Sequence, residues 1–500
     1  MVCGVYRCQF GIVTGVGSNY RSGLGKRPGT VGDVDVCYLD DIALSGPCTQ
    51  YVLDWDGIPS SKTFPLTLNQ RNHLESVRAS GRPSWVAGSF ILPSSVRAGI
   101  EKTADTIVDA IRSLMGDYDA LRLVLSDPSE SQGSQRMWSN DQLSISTAAF
   151  LTDSHEDSST IRQEVERRID EACVPGRTPG LFFALCGHRL VVASDHFHAD
   201  MASIHIILRR LWDLVASPTE KLGNAHNNHE AVDGNVVTVA EKVGNVRTPD
   251  PVVAPSFIDV VRKEREASAR WHDGKNSDEL QRSLAVWKRF FDHTGGIVPA
   301  FPAELGTTKS VTPHHRTELL VPAEHMTGPI AARTFAEVVA ALASSVYTVA
   351  GAESLPCVVP IHTRGRSSSP YHGTVGWMVS NGPVIAEPGN SDNVRQWLRD
   401  GINAVTIPLD IVMETFRPVM PTPQPFMVSY SDFRTSSGPS AVIPGAVYFS
   451  SLAPTATVQL WFTRNDKGLS LRAKYPGTPQ AEEILDECVK DLTRRLIGTD

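Results

Sequence analysis

At 500 residues the chain is about three times the usual domain unit, so two medium lobes or one large domain with insertions both fit its length. Its 41% hydrophobic and 20% charged residues fall in the ordinary globular range and exclude a fibrous, disordered or membrane-embedded protein. The net charge of -8 is spread along the sequence without a long Lys/Arg block, so no nucleic-acid partner is expected.

Eight cysteines are scattered without a Cys-x-x-Cys pair, which argues against a zinc knuckle or a disulfide framework and is read as a reduced, cytoplasmic protein. The N-terminal stretch, interrupted by Arg7 and several glycines, lacks the apolar core of a signal peptide. No run of about 18 apolar residues is present, so no membrane span is expected.

Residues 1–60 are rich in Gly, Thr and Val and read as an N-terminal β-appendage, with a strand at Tyr51–Trp55. Residues 61–215 read as a first lobe. A capped helix starts at Leu66–Leu74 and a strand follows at Trp85–Leu92. An amphipathic helix carrying Ala104, Val108, Ile111 and Met115 leads to a strand at Ala120–Leu125, and 126–138 read as a loop. A helix at 159–172 precedes a hairpin whose arms, Leu181–Cys186 and Arg189–Asp195, meet at a Gly187-His188 turn. Ile204, Ile207, Leu208, Leu211 and Val215 then mark one stripe of a helix, so Asp200 stands where strand becomes helix.

Residues 216–254 have the polar composition of a linker or insertion, and 255–500 read as a second lobe. Helices are expected at 256–271 and 278–292, a strand at Thr317–Val321, and a capped helix from Thr334 with Glu337 at its N3 position. Strands at Cys357–Ile361, 374–379, 426–430, 446–451, 456–463 and 468–474 and a closing helix at 480–497 complete a mixed α/β class.

The segment His196-Phe197-His198-Ala199-Asp200 holds the chemistry. A histidine at the end of a buried strand has a rigid backbone and an ordinary pKa near 6.5, which suits proton abstraction at neutral pH. If the strand continues, its alternation places His198 on the same side as His196. Read alone, the five residues also fit a second description, with Asp200 as a helix N-cap and both histidines as satisfied polar groups.

The surrounding segments resemble the condensation domains of nonribosomal peptide synthetases and their free-standing acyltransferase relatives. Leu181–Val215 is similar to the family's strand, His-His-x-x-x-Asp-Gly motif and helix. Pro65–Leu74 resembles its Pro-Leu-(Ser/Thr)-x-x-Gln opening, Ala120-Leu121-Arg122 its Ala-Leu-Arg step, and Ser283–Phe291 its Tyr-Trp segment. Val359–Arg364 resembles the segment ending in Asn-Arg, and Val375–Pro383 resembles Val-Gly-x-Phe-Val-Asn-Thr-Leu-Pro. The N-terminal β-appendage, the Asp195-His196 form of the motif with Ser203 after it, and Ser429–Arg434 look closest to polyketide-associated acyltransferases.

The resemblance implies two chloramphenicol-acetyltransferase-like lobes forming a V, with His196 as general base facing a channel between them. It implies a structural role for Asp200, held by an arginine for which Arg364 and Arg122 are both candidates. Asp195, His198, Met201, Ser203, Ser380, Asn381, Asp432 and Arg434 are the expected channel residues. Asp195, Met201 and Ser380 depart from the family pattern, although the Met201 backbone N–H is still able to polarise a carbonyl.

The implied reaction moves an acyl group from coenzyme A or an acyl-phosphopantetheine carrier protein to the hydroxyl of a small alcohol, forming an ester, with a small amine as the alternative acceptor. It needs no metal or other cofactor, and the protein is expected to be a monomer. Amide formation and a non-catalytic scaffold are the alternatives. A remoter one is a metal-dependent hydrolase, since His196-x-His198-x-Asp200 is similar to a metallo-β-lactamase-type ligand cluster, except that Met201 stands where a histidine should follow.

Overall fold

The computed structural model describes residues 35–94, 96–97, 100–127, 133–151, 156–176, 180–216, 255–275, 277–331, 333–365, 368–433, 443 and 445–498. The 216–254 segment, apart from its first residue Ala216, lies outside them, and so do residues 1–34 and Arg434.

The hairpin Leu181–Cys186/Arg189–Asp195 forms the middle of a seven-stranded sheet, with residue pairing from Leu181–Ser194 to Cys186–Arg189. Its order is Asp35–Val36, Val447–Ser450, Trp85–Ile91, Arg189–Asp195, Leu181–Cys186, Cys48–Trp55 and Leu143–Leu151. Both faces of the central strands are covered, which is why these segments read as continuous apolar runs. On one face Phe90, Phe183, Leu190 and Val192 pack with the helices Ile100–Asp117 and Met201–Ala216; on the other Ala87, Phe182 and Val191 pack with Ile161, Val165 and Ile169 of Ser158–Ala172.

Gly88 lets the helix Met201–Ala216 approach this sheet. A Cβ there would lie 2.7 Å from Leu208 Cδ1 and 3.0 Å from Ile204 Cγ2. The close approach fixes where the N-terminus of that helix, and so Asp200, can sit.

The second sheet has six strands in the order Pro313–Pro322, Gly468–Pro476, Gln459–Asn465, Met427–Asp432, Leu355–His362 and Val379–Ala386. Leu460, Phe462, Leu471 and Ala473 face a core shared with the helices Phe335–Ala350 and Pro479–Ile497. A small sheet of Phe64–Pro65, Ser134–Met137 and Leu123–Leu125 completes the set. Among the described residues, no helix is long and apolar enough to cross a membrane.

Four sequence expectations change. Cys48–Trp55 lies between two strands of the first sheet, paired with both Leu181–Cys186 and Leu143–Leu151, rather than in a separate appendage. The chain of the second half crosses over: Val447–Ser450 pairs with Trp85–Ile91, and Phe257, Val260 and Val261 pack in the first lobe's core. The loop expected at 126–138 contains the strand Ser134–Met137. The strand expected at 374–379 begins instead at Val379, because the polar backbone groups just before it are used elsewhere.

Candidate active site

The buried strand Arg189–Asp195 ends in a turn closed by the His198 N–H donating to the Asp195 carbonyl at 3.0 Å. Asp195 Oδ1 accepts the Phe197 N–H at 2.8 Å, and the His196 N–H donates to the Ser84 carbonyl at 3.1 Å. Gln70 Nε2 donates to the Phe197 carbonyl at 3.1 Å. Gln70 is itself fixed by a capping box in which its N–H donates to Thr67 Oγ1 and its Oε1 accepts the Thr67 N–H, opening the helix Leu68–Ser80.

The turn overrides the strand alternation expected for His198. Its Nδ1 lies 2.9 Å from the Ala120 carbonyl and therefore carries the proton, since a carbonyl only accepts. His198 is thus anchored to the first lobe through this contact.

Asp200 sits at the N-terminus of Met201–Ala216 and accepts the Ser203 N–H at 2.7 Å, as an N-cap does. Its carboxylate also takes a two-pronged grip from Arg364, with Nη1 2.8 Å from Oδ2 and Nη2 2.9 Å from Oδ1. The Met378 N–H donates to Oδ2 at 2.9 Å. Both side chains of the ion pair are 2% exposed, so this is a buried, hydrogen-bonded pair. Burial pushes the Asp200 carboxyl upward, but the charge and hydrogen bonds of Arg364 with those of Ser203 and Met378 outweigh it and hold it below the usual carboxylate value.

Arg364 Nε donates to the Thr374 carbonyl at 2.8 Å and Nη2 to the Gly376 carbonyl at 2.9 Å. The Ser203 hydroxyl accepts the Gly376 N–H at 3.0 Å and an Arg364 N–H at 2.7 Å. Gly376 is required here: its φ is 151°, and a Cβ would fall 2.2 Å from the Phe257 ring. Arg122, the other arginine considered for Asp200, instead donates to the Trp138 carbonyl at 2.8 Å.

His196 is fully buried and stacks on Trp377, with ring centroids 4.3 Å apart at 30°. His73, on the helix Leu68–Ser80, meets Trp377 edge-on at 5.5 Å and His196 edge-on at 6.1 Å. His73 Nε2 lies 2.9 and 3.0 Å from the two carboxylate oxygens of Asp195, and both residues are buried. Burial, with His73 as second cause, lowers the His196 pKa to about 3 against the opposing pull of Asp200 and the Ala199 backbone. Burial therefore favours the neutral imidazole across the physiological range.

Met201 is buried in the first turn of its helix, where the initial N–H groups have no partner within the helix. Ser380 and Asn381 lie in the strand Val379–Ala386, opposite Ile361 and Pro360, and Asn381 is buried. Asp432 ends the strand Met427–Asp432, and Arg434 lies outside the described residues. Among the described residues, no three His, Cys, Asp or Glu side chains converge as metal ligands. In the motif itself Asp200 pairs with Arg364, and His198 Nδ1 lies against the Ala120 carbonyl.

Sequence reasoning missed His73, Gln70 and Trp377 as members of this site. A signal was present: the helix Leu68–Ser80 buries Gln70, Asn72, His73 and Ser76, and polar groups on a buried face need polar partners.

No protein-family model matches the chain, and no curated protein matches it. Solved structures do. The PapA2 acyl transferase superposes with a TM-score of 0.68 at 15% identity, over 93% of this chain and 99% of that one. The first condensation domain of the calcium-dependent antibiotic synthetase, in complex with a substrate analogue, gives 0.57 at 16% identity, over 87% and 97%. A mutant starter condensation domain of rhizomide synthetase RzmA, in complex with C8-CoA, gives 0.62 at 14% identity, over 88% and 95%. At these identities the likeness shows the fold: the chain has the two-lobe architecture shared by condensation domains and PapA2.

Proposed function

We propose that this chain, having the condensation-domain fold, is an acyltransferase that moves an acyl group from a thioester to a hydroxyl, with His196 as general base. One observation carries the reading: the buried His196 ring lies against Trp377 at the end of a strand, while Asp200, four residues on, is clamped to Arg364 by a two-pronged ion pair. The PapA2 acyl transferase and the C8-CoA-bound condensation domain support the reaction class through their shared fold.

In this mechanism His196 accepts the acceptor's hydroxyl proton as the oxygen attacks the thioester carbonyl. The carbonyl π electrons move onto oxygen to give a tetrahedral oxyanion, for which the Met201 N–H is the proposed donor. Collapse re-forms the carbonyl, breaks the C–S bond and expels the thiolate, which takes the proton back from the imidazolium. The new C–O bond is made without an acyl-enzyme, and no other cofactor enters the balance. Coenzyme A or an acyl carrier protein serves as the donor's thiol. A hydroxyl acceptor suits the site better than an amine, because a free amine attacks with its own lone pair while an alcohol needs its proton removed.

The experiment is a mass-spectrometric screen of acyl-CoA and acyl-carrier donors against alcohols and amines with the purified full chain. Transfer to an alcohol that depends on His196 is expected. An enzyme that transfers from no thioester, or whose His196→Ala variant transfers at the wild-type rate, overturns the reading.

A further inference from the structure

We propose that His73 is a positioning residue for His196, acting through Asp195 from the helix Leu68–Ser80. The proposal rests on His196 being the base and adds the group that aims it. Four contacts converge on this assignment. His73 Nε2 bridges both oxygens of Asp195 at 2.9 and 3.0 Å. The same Asp195 Oδ1 takes the Phe197 N–H at 2.8 Å, so the carboxylate links the helix to the turn that carries His196 on its other side. The His73 ring also meets the edges of His196 and Trp377, at 6.1 and 5.5 Å, which closes a ring of side chains around the stacked pair.

The arrangement gives the Asp195-His196 form of the motif a physical meaning. A carboxylate in a fully buried strand end has to be answered by a donor, and the donor here comes from 122 residues earlier in the chain. Gln70, one turn before His73 on the same helix, holds the Phe197 carbonyl at 3.1 Å, so two successive turns of one helix grip one loop. A histidine that only neutralised Asp195 would have no bearing on the His196 ring. A histidine that holds the loop must determine whether His196 lies flat on Trp377.

The stack supplies the readout, because an aromatic face 4.3 Å away shifts the carbon-bound protons of the His196 ring upfield in NMR. The experiment records the histidine ring resonances of the substrate-free full chain, with His196→Gln used for assignment. His73→Phe keeps the volume and removes the donor. The result expected is loss of the upfield shift of His196, with the resonances of the exposed His293 and His314 unchanged. His73→Gln, which can still donate to Asp195, is expected to restore the wild-type shift. Should His73→Phe fail to fold because the buried Asp195 keeps only the Phe197 N–H as donor, His73→Phe/Asp195→Ala carries the test with the same expected loss.

A folded His73→Phe or double variant with wild-type His196 resonances overturns the proposal. With a thioester and acceptor pair that the wild-type protein turns over, kcat is expected to fall about tenfold or more while KM stays nearly constant. A loss of kcat/KM that appears only as a rise in KM also overturns the proposal. The NMR result stands without any activity, so a chain that transfers no acyl group but loses its His196 stack would sink the acyltransferase reading and leave this one in place.

Discussion

His196 and Asp200 lie four residues apart in the same buried turn, yet their surroundings drive them to opposite electrical states. Asp200 is held as a carboxylate by a guanidinium and by backbone and side-chain donors from Ser203 and Met378. His196 meets an indole face, and burial keeps it neutral. The difference teaches that the motif holds two groups in opposite states: one charge is paired and spent on structure, while the other group is kept uncharged against an aromatic face.

The strongest way to break this comparison is to remove each end in turn. His196→Ala is expected to lower kcat by about 10²–10⁴-fold, the usual worth of a general base. Its melting temperature should move less than that of the Asp200 variant. Arg364→Ala and Asp200→Ala each leave a buried charge unanswered and are expected to cost about 3–5 kcal/mol, read as a shift in urea midpoint. The double variant should cost less than the sum of the singles, since neither charge is then left alone. Additive losses would mean that the pair is not coupled.

How much of this was legible in the sequence depends on distance along the chain. The hairpin 181–195 was visible because its apolar runs flank a turn, and the motif because its neighbours resemble a known set of segments in order. The 374–379 strand was misplaced for a physical reason. Its apolar residues read as a strand, but the Gly376 N–H and carbonyl go to Ser203 and Arg364 and the Met378 N–H to Asp200, so those groups cannot join a ladder. Leu143–Leu151 escaped notice because it is an edge strand whose middle residues are exposed and polar or small. The His73–Asp195 pair was invisible, because no local pattern marks two partners that only the fold brings together.

A smaller effect sharpens the electrical half of the comparison. The His196 pKa is lowered from its unfolded value, so the unfolded chain binds the extra proton first as pH falls. The stability this group contributes is full above about pH 6.5 and is lost progressively as pH falls toward about 3. His205, half-buried beside the Tyr448 hydroxyl and lowered to about 4, acts in the same direction. Between pH 7 and 5 the His196 term is worth on the order of 2 kcal/mol. Urea unfolding of His196→Gln should show a shallower loss of stability over that interval than wild type, and parallel curves would contradict the neutral, buried imidazole.

The smallest effect separates the two arginines that the sequence left equivalent. Arg122 holds the Trp138 carbonyl, and Trp138 in turn stacks on Trp55 with centroids 5.6 Å apart, all within the first lobe and away from Asp200. Arg122→Ala therefore removes one charge-assisted hydrogen bond and leaves the Asp200 clamp whole. The expected cost is about 1.5–3 kcal/mol in urea unfolding, with unchanged KM and a kcat within a factor of about two of wild type. Because Arg364 satisfies Asp200 with two of its nitrogens and ties Ser203, Thr374 and Gly376 to the same point, its loss cannot be compensated by Arg122. An Arg122→Ala variant that lost activity as Arg364→Ala does would place both arginines in one network and dissolve the distinction between a local pin and the clamp that shapes the histidine turn.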